Sequence, residues 1–307
     1  MGPWLDSLTA WLTVNPQWLA AGWSAAYLLP GWTTGAAMRL PLPEGFWLQA
    51  GIVVGSIALM VGLSATSSLR SHRKATMFIA GMSFLILAGL FIGYPHLTAL
   101  DQGVMTLIQE HRSPTLDEVA VVFTLIGELR NMLLFSAVLV GLLLASRQWR
   151  QAIFAGSTLM CTALANTLSK QFFARLRPEV LSDPLASYSM PSGHASGSFA
   201  LFLTLAVLAG RGQPPRMRLT WLLVGCLPAL AISLSRVYLG AHWPTDVLAG
   251  AMLAACVCAA SLWLSQRQTS LNALPPRVWW LVLPALVALF AFFVIRHLPH
   301  TMLRYAY

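Results

Sequence analysis

Eight long apolar runs divide this chain, and they constrain its fold more than any other feature. They cover roughly residues 47–67, 75–94, 130–147, 151–170, 194–211, 218–236, 246–265 and 278–296. A helix needs about 20 mostly apolar residues to cross a bilayer. Only 9% of the 307 residues are charged, whereas about a quarter are charged in a typical soluble domain. The sequence therefore predicts an all-α, polytopic transmembrane helical bundle with about eight spans.

The first 46 residues follow this pattern less clearly. Residues 17–33 are apolar, but Gly22, Pro30 and Gly31 interrupt them and Pro16 precedes them. Three interpretations stay open here: a ninth span, a re-entrant hairpin, or an interfacial segment rich in tryptophan.

The net charge of +9 could suggest a nucleic-acid partner, but the chain has no basic stripe and no RNA-binding motif. Most arginines instead lie in short loops between spans, where they orient the protein. Alternate loops hold ten basic residues, assigned to the cytoplasm: Arg70, Arg73, Lys74, Arg147, Arg150, Arg211, Arg216, Arg218, Arg267 and Arg277. The other side holds nine, and four of these belong to or adjoin the polar clusters described below. We therefore expect those clusters on the non-cytoplasmic side.

A shorter pattern lies on that same side. Leu97, Leu100, Val104, Leu107, Ile108 and His111 recur at helical spacing across residues 97–111, and Asp101 falls off this apolar face. This predicts an amphipathic helix in the membrane interface. Ser113-Pro114 is expected to end it, with a second helix over about 115–128.

Three polar clusters interrupt the apolar pattern between residues 170 and 246. They are Lys170 with Arg177-Pro178, then Pro191-Ser192-Gly193-His194, then Ser235-Arg236 with His242 and Asp246. Ionisable groups beside membrane spans are costly, so they point to function. Three cations, two histidines and one carboxylate suit holding a phosphate and attacking it.

The residue types in these clusters fit that chemistry. Arginine offers a planar fork for phosphate oxygens, and lysine offers a compact charge. A helix beginning near Gly193 would aim free N–H groups at an anion, and Ser192 could add a hydroxyl donor. Asp246, four residues after His242 and just past Pro244, would lie within reach of the imidazole. A carboxylate there fixes the tautomer and leaves the other ring nitrogen free to attack.

Each cluster also has a simpler interpretation. A lone Lys or Arg at a span end is often a snorkelling anchor, and Pro-Ser-Gly is often only a turn. A lone His can be an interfacial polar residue, and an Asp at a helix start can cap its own turn. Their shared side of the membrane favours the functional interpretation.

The strings KQFFARLRP, PSGH and SRVYLGAHWPTD stand in order along the chain. Together they resemble the motifs of the type 2 phosphatidic acid phosphatases, in the lipid phosphate phosphatase and vanadium haloperoxidase superfamily. The resemblance covers about residues 75–265 and implies a six-helix phosphatase core there. Residues 1–74 would add N-terminal membrane segments of unclear role, and residues 266–307 an extra transmembrane helix and a short tail.

The resemblance also implies roles. His242 would be the nucleophile that forms a phosphohistidine, Asp246 would orient it, and His194 would be the general acid. The phosphate would be held by Lys170, Arg177, Ser192, the Gly193 amide and Arg236. No metal or cofactor is implied, and Arg175, which is not a motif position, is expected at the rim of the site.

The expected activity is hydrolysis of a lipid phosphate or pyrophosphate in the outer leaflet of a bacterial inner membrane, with the site facing the periplasm. Candidate substrates are undecaprenyl pyrophosphate, phosphatidylglycerol phosphate and phosphatidic acid. One alternative is a phosphotransferase that moves the phosphoryl group to another lipid such as lipid A. A second is a non-enzymatic lipid transporter or scaffold, which would predict a missing catalytic position, and none is missing. The motifs indicate neither the lipid nor the oligomeric state.

Overall fold

The computed structural model describes residues 42–64, 72–180 and 187–305. Within these ranges the chain forms ten α-helices and one 3-10 turn, Tyr94–His96, with no strand. The helices are α1 (Phe46–Ser64), α2 (His72–Gly93), α3 (Thr98–Glu110), α4 (Pro114–Ile126), α5 (Leu129–Ala145), α6 (Trp149–Phe173), α7 (Gly193–Ala209), α8 (Pro215–Tyr238), α9 (Pro244–Ser265) and α10 (Pro276–Tyr305). The predicted all-α class is confirmed.

In the part of the chain that the structure describes, each of the eight apolar runs coincides with one of these helices. Five helices (α2, α6, α8, α9 and α10) are long and apolar enough to cross a membrane. The pair α4 and α5 passes the same criterion with a bend of 50° between its halves, while α1 and α7 are shorter apolar helices. The chain is therefore a multi-pass membrane protein. The total of eight spans stays a prediction, and the possible ninth, residues 17–33, lies outside the described residues.

Proline sets the start of four helices, at Pro114, Pro215, Pro244 and Pro276. The first turn of a helix leaves N–H groups without intrahelical partners, so a residue that lacks an N–H costs nothing there. Ser113 adds a side-chain cap, because its hydroxyl accepts a hydrogen bond from the Leu116 amide over 3.4 Å. These residues set the N-terminal ends of α4, α8, α9 and α10.

Helix α9 is the central element of the bundle. About 61% of the most apolar 18-residue stretch of α9 is buried inside the bundle, against 17–33% of such a stretch in the other four long spans. It packs on α2, α6 and α7, and α7 packs in turn on α8. A Cβ at Gly250 would lie 2.7 Å from the Ser192 carbonyl oxygen, so glycine is what lets α9 approach the start of α7 this closely.

The two helices predicted over residues 97–128 are present as α3 and α4, with the break at Ser113. The face that α3 buries, however, differs from the predicted one. Leu107 is 37% exposed, whereas Asp101 is only 1% exposed. Placing Asp101 away from the packed face was wrong, because an ion pair to a distant part of the chain holds it inside the bundle.

Candidate active site

The three polar clusters meet at one end of the bundle. The first lies at the end of α6, the second begins α7, and the third spans the end of α8 and the start of α9. Lys170, Arg177 and Arg236 all act electrostatically on both His194 and His242. Residues up to 76 positions apart in sequence therefore form one site.

His242 is held in a tight turn between α8 and α9, where it is 2% exposed. Gly240 makes this turn with φ +69°, a backbone conformation that glycine adopts without strain. On the imidazole, Nε2 accepts a hydrogen bond from Arg177 Nη1 over 3.0 Å, and Nδ1 faces Asp246 Oδ2 at 3.5 Å. Burial lowers the pKa of His242 well below 6.5, and Arg177, Arg236 and Lys170 lower it further. The ring is therefore neutral at physiological pH.

Asp246 is fully buried and accepts several hydrogen bonds. Its Oδ2 accepts from the Trp243 amide over 2.9 Å and from the Ser189 hydroxyl, and its Oδ1 accepts from Arg175 Nη1 over 2.7 Å. The carboxylate thus caps the first turn of α9 while facing His242. This geometry is therefore compatible both with capping of the helix start and with orienting the imidazole.

Helix α7 begins with Gly193 next to the end of α6. A Cβ on Gly193 would lie 4.0 Å from Lys170 Cε, so the lysine stem runs beside this helix start. Ser192 is fully buried, and its hydroxyl accepts from the Ala195 amide over 3.5 Å as the helix cap. In that contact the hydroxyl oxygen acts as the acceptor. The predicted donation from Ser192 to phosphate stays a prediction.

His194 occupies the first turn of α7 with its Nε2 buried and without a hydrogen-bond partner among the described residues. The helix pair α4–α5 packs closely against its ring, since a Cβ on Gly127 would lie 2.8 Å from His194 Cδ2. This nitrogen lies beside a second histidine and three cations, and its predicted role as general acid stays a prediction.

The three predicted cations contact protein oxygens in this structure. Lys170 Nζ donates to the carbonyls of Tyr188 and Ser189. Arg177 donates from Nη1 to the Ala241 carbonyl over 2.6 Å and from Nε to the Ser187 carbonyl over 2.7 Å.

Arg236 is 1% exposed, and its Nη1 donates to the Thr124 hydroxyl over 3.2 Å. All three side chains therefore line the same polar end of the bundle, and their roles toward phosphate stay predictions.

Arg175 does not lie at the rim, and that expectation was wrong. Its side chain is 9% exposed and forms ion pairs with both Asp246 and Asp101. Two backbone features accompany this position: Ala174 ends α6 in the left-handed conformation, with φ 45°, and the Arg175 carbonyl accepts from the Ser189 amide over 2.8 Å. The expectation of a rim position rested on Arg175 lying outside the motif positions.

Several other contributors were not predicted. They are Asp101, Ser189 and Thr245 around Asp246, Thr124 beside Arg236, and Asn166, whose amide donates to the Pro191 carbonyl over 3.3 Å. No signal in the sequence pointed to them, because helical periodicity puts Asp101 off the apolar face of α3 and the partners lie far apart along the chain.

No group of three or more His, Cys, Asp or Glu side chains is placed to hold a metal ion in the part of the chain that the structure describes. The site instead combines two histidines, one carboxylate and three cations at the end of a helical bundle. Such a combination of positive charge and a neutral imidazole, at the end of a membrane helical bundle, is suited to an anionic ligand.

The comparisons with known proteins agree with this class. The family model of the PAP2 superfamily matches residues 151–270, a segment that contains all three clusters. This region of the chain is similar to the PAP2 superfamily, and the resemblance to the type 2 phosphatidic acid phosphatases is confirmed.

Two curated relatives show the extent of the similarity. An undecaprenyl-diphosphatase of Sulfolobus acidocaldarius is 39% identical over 28% of this chain and 41% of its own length. Phosphatidylglycerophosphatase B of Bacillus subtilis is 32% identical over 28% of this chain and 44% of its own length. The chain thus spans less than half the length of these relatives.

Among solved structures, a PAP2 type phosphatidylglycerolphosphate phosphatase from Bacillus subtilis superposes with a TM-score of 0.56. The match covers 62% of this chain and 98% of the other, at 22% identity. At that identity, the superposition shows that the two proteins share a fold.

Proposed function

We propose that this protein is a membrane phosphatase that hydrolyses a lipid phosphate or pyrophosphate through a phosphohistidine on His242. The observation that carries the proposal is the geometry of that imidazole. Its Nε2 accepts a hydrogen bond from Arg177, and its Nδ1 faces the Asp246 carboxylate. A buried, neutral imidazole whose lone pair lies among three cations is poised to attack an anionic phosphorus centre.

The proposed reaction has two halves. In the first, the Nε2 lone pair attacks phosphorus, the bond to the lipid oxygen breaks, and that oxygen takes a proton from His194. In the second, a water oxygen attacks the phosphorus and passes its proton to His194, and the N–P bond returns its electron pair to Nε2. Lys170, Arg177, Arg236, Ser192 and the Gly193 amide would stabilise the charge on the phosphoryl oxygens.

The substrate class is supported by the membrane location and by the activities that the names of the relatives describe. Undecaprenyl pyrophosphate, phosphatidylglycerol phosphate and phosphatidic acid remain the candidates. The loop charges support a site on the periplasmic side of a bacterial inner membrane, and the substrate would then be drawn from the outer leaflet. The six-helix core over residues 75–265, flanked by segments 1–74 and 266–307, belongs to the same proposal.

One experiment tests the activity directly. The purified full-length protein is assayed for phosphate release from a panel of lipid phosphates, with and without EDTA, beside the His242→Ala variant. Release that needs His242 and survives EDTA is expected. A wild-type protein without activity on any member of the panel would contradict the proposal.

The phosphotransferase alternative shares the first half of the reaction and differs in the acceptor. A labelled donor lipid mixed with lipid A in the same vesicles separates the two activities. Label released as inorganic phosphate supports the hydrolase, and label recovered on lipid A supports the phosphotransferase. The same assay tests the transporter or scaffold alternative, which predicts neither product.

A further inference from the structure

A buried chain of ion pairs continues from Asp246 away from His242, and the proposed reaction does not use it. Arg175 Nη1 donates to Asp246 Oδ1 over 2.7 Å, and Nη2 donates to Asp101 Oδ2 over 2.6 Å. The side chains of the two carboxylates are 0% and 1% exposed. One guanidinium therefore bridges two carboxylates that water barely reaches.

Thr245 adds a second link between Asp101 and the helix that carries Asp246. Its hydroxyl accepts from Arg175 Nη1 over 2.8 Å and donates to Asp101 Oδ2 over 2.6 Å. The Thr245 amide donates to Asp101 Oδ1 over 2.9 Å. Both oxygens of Asp101 thus hold the first turn of α9, one residue before Asp246.

Two aromatic rings contact the guanidinium. The Arg175 Cζ atom lies 5.0 Å from the centre of the Tyr94 ring and 5.7 Å from that of Trp243. The Trp243 ring is itself anchored, because its Nε1 donates to the Leu176 carbonyl over 3.1 Å. Contacts with aromatic rings and with two carboxylates together restrict the orientation of a planar fork.

From this geometry we infer that Asp101 and Arg175 are positioning residues for phosphoryl transfer, which hold Asp246 ionised and aimed at the Nδ1–H of His242. The inference rests on the proposed function. Neither residue touches the reacting atoms; each acts through Asp246. The contacts run from Asp101 on α3 through Arg175 and Asp246 to His242, the proposed nucleophile.

The charges explain why the bridge matters. Burial raises the pKa of Asp101, and Arg175 and Thr245 oppose that rise. Without Arg175, two buried carboxylates would share one site, and one of them would take up a proton. A protonated Asp246 could no longer stabilise positive charge on the His242 ring.

The other charged or titratable groups that face this chain lie on several elements. Lys170 at the end of α6 acts on Asp246, while His242 and the guanidiniums of Arg177 and Arg236 lie on its catalytic side. All of these groups remain in place in the variants below. A change in the pH profile can therefore be traced to the Asp101–Arg175 bridge.

The test measures kcat, KM and the pH dependence of kcat/KM in the full-length protein. Asp101→Asn is expected to lower kcat about tenfold to a hundredfold, as the loss of an outer-shell partner typically does, with little change in KM. Arg175→Gln is expected to move the acid limb of kcat/KM upward by about 1–3 pH units, since an opposite charge is lost beside a carboxylate. Arg175→Lys keeps the positive charge but lacks the planar fork. Its pH profile is therefore expected to lie closer to that of wild type than its kcat does.

The Arg112–Asp117 pair supplies a matched control. The Arg112 side chain is also 9% exposed, and its Nε lies 3.0 Å from Asp117 Oδ1. Asp117→Asn removes an ion pair on the same side of the bundle, with a carboxylate that is 27% exposed, without touching Asp246. It is expected to lower the Tm while leaving the pH profile unchanged.

The outcomes separate the inference from the proposed function. If wild type is active and His242→Ala is not, but Asp101→Asn changes only the Tm, the inference is wrong and the function stands. An inactive wild type would instead overturn the function itself. Should Asp101→Asn fail to fold, Thr245→Val removes one link of the same chain, and unchanged kcat in that folded variant would equally overturn the inference.

Discussion

Arg177 Nη1 lies 3.0 Å from His242 Nε2. A guanidinium carries only donors, so this contact assigns the acceptor lone pair to Nε2 and the ring proton to Nδ1, on the side of Asp246. The tautomer required of a nucleophile is thus present before substrate binds. In the proposed reaction the phosphoryl group would arrive at this nitrogen, so Arg177 would move its contact from the imidazole to the phosphate oxygens.

The first prediction concerns the arginine fork. Arg177 uses three nitrogens, with Nε and Nη2 donating to Ser187 and Nη1 donating to Ala241 and His242. A single ammonium cannot reproduce this pattern. Arg177→Lys is therefore expected to lose nearly as much kcat/KM as Arg177→Ala, about a hundredfold to a thousandfold.

Arg150 provides the control for this substitution. It lies at the opposite end of the bundle, where its fork donates to the carbonyls of Ser265, Thr269 and Ser270. Arg150→Lys also replaces a fork by a point charge, and its activity is expected to stay near that of wild type. If Arg177→Lys likewise kept most of its activity, the role of the Arg177 fork would be refuted.

The second prediction concerns pH. The pKa of His242 lies well below 6.5, first because the ring is buried and then because Arg177, Arg236 and Lys170 disfavour the imidazolium. His242 therefore stays neutral, and able to attack, down to pH values below 6.5. Lys170→Met removes one positive neighbour, so the pKa of His242 is expected to rise and the acid limb of its phosphorylation to move to higher pH.

The measurement is the single-turnover rate of His242 phosphorylation by nitrophenyl phosphate as a function of pH. The substrate titrates identically with both proteins, so the difference between the profiles reports the enzyme. An acid limb that moved to lower pH in Lys170→Met would contradict the assigned sign.

A third prediction tests the orientation in the membrane. In a background without native cysteines, Glu179→Cys and Gln268→Cys place single thiols at exposed positions on opposite ends of the bundle. In intact cells, a reagent that cannot cross the inner membrane is expected to label position 179 and not position 268. The reverse pattern would place the site in the cytoplasm and remove the outer-leaflet substrate.

A fourth prediction concerns the close approach of α9 to α7. A Cβ at Gly250 would meet the Ser192 carbonyl at 2.7 Å and the Ser196 amide at 3.0 Å. Backbone atoms cannot rotate away, so Gly250→Ala is expected to cost about 1–3 kcal/mol and to reduce activity by displacing the start of α7. In Gly156→Ala, the new Cβ would have its nearest neighbour at 4.0 Å, and this variant is expected to keep its Tm and its activity, as thermal unfolding and phosphate release would show.

The helices and the pairing of His242 with Asp246 could be expected from the sequence because both depend on local patterns. Apolar runs of span length give helices wherever they occur, and the four-residue step from His242 to Asp246 brings the pair together across one helix start. The boundaries of α4, α8, α9 and α10 follow from a proline and its flanking residues. None of these features needs a partner elsewhere in the chain.

The supporting contacts could not be expected, because their partners lie far apart in sequence. Asp101 and Arg175 are separated by 74 residues, and Thr124 and Arg236 by 112. Helical periodicity placed Asp101 off the apolar face of α3, but pairing with Arg175 makes burial tolerable for both charges. Only the tertiary arrangement brings such residues together.

The most direct test of the account is to trap and map the phosphorylated residue. Wild type and His194→Ala are mixed with a labelled nitrophenyl phosphate or a labelled lipid phosphate, quenched during the first turnover, and digested for mass spectrometry. A general acid typically contributes about a hundredfold to ten-thousandfold, and a good leaving group needs less of that help. The nitrophenyl ester is therefore expected to phosphorylate His194→Ala far better than the lipid does, and the label to persist because water activation is lost.

In every case the account predicts that the label maps to His242 and that His242→Ala takes up none. Label on His194, or label retained by His242→Ala, would contradict it.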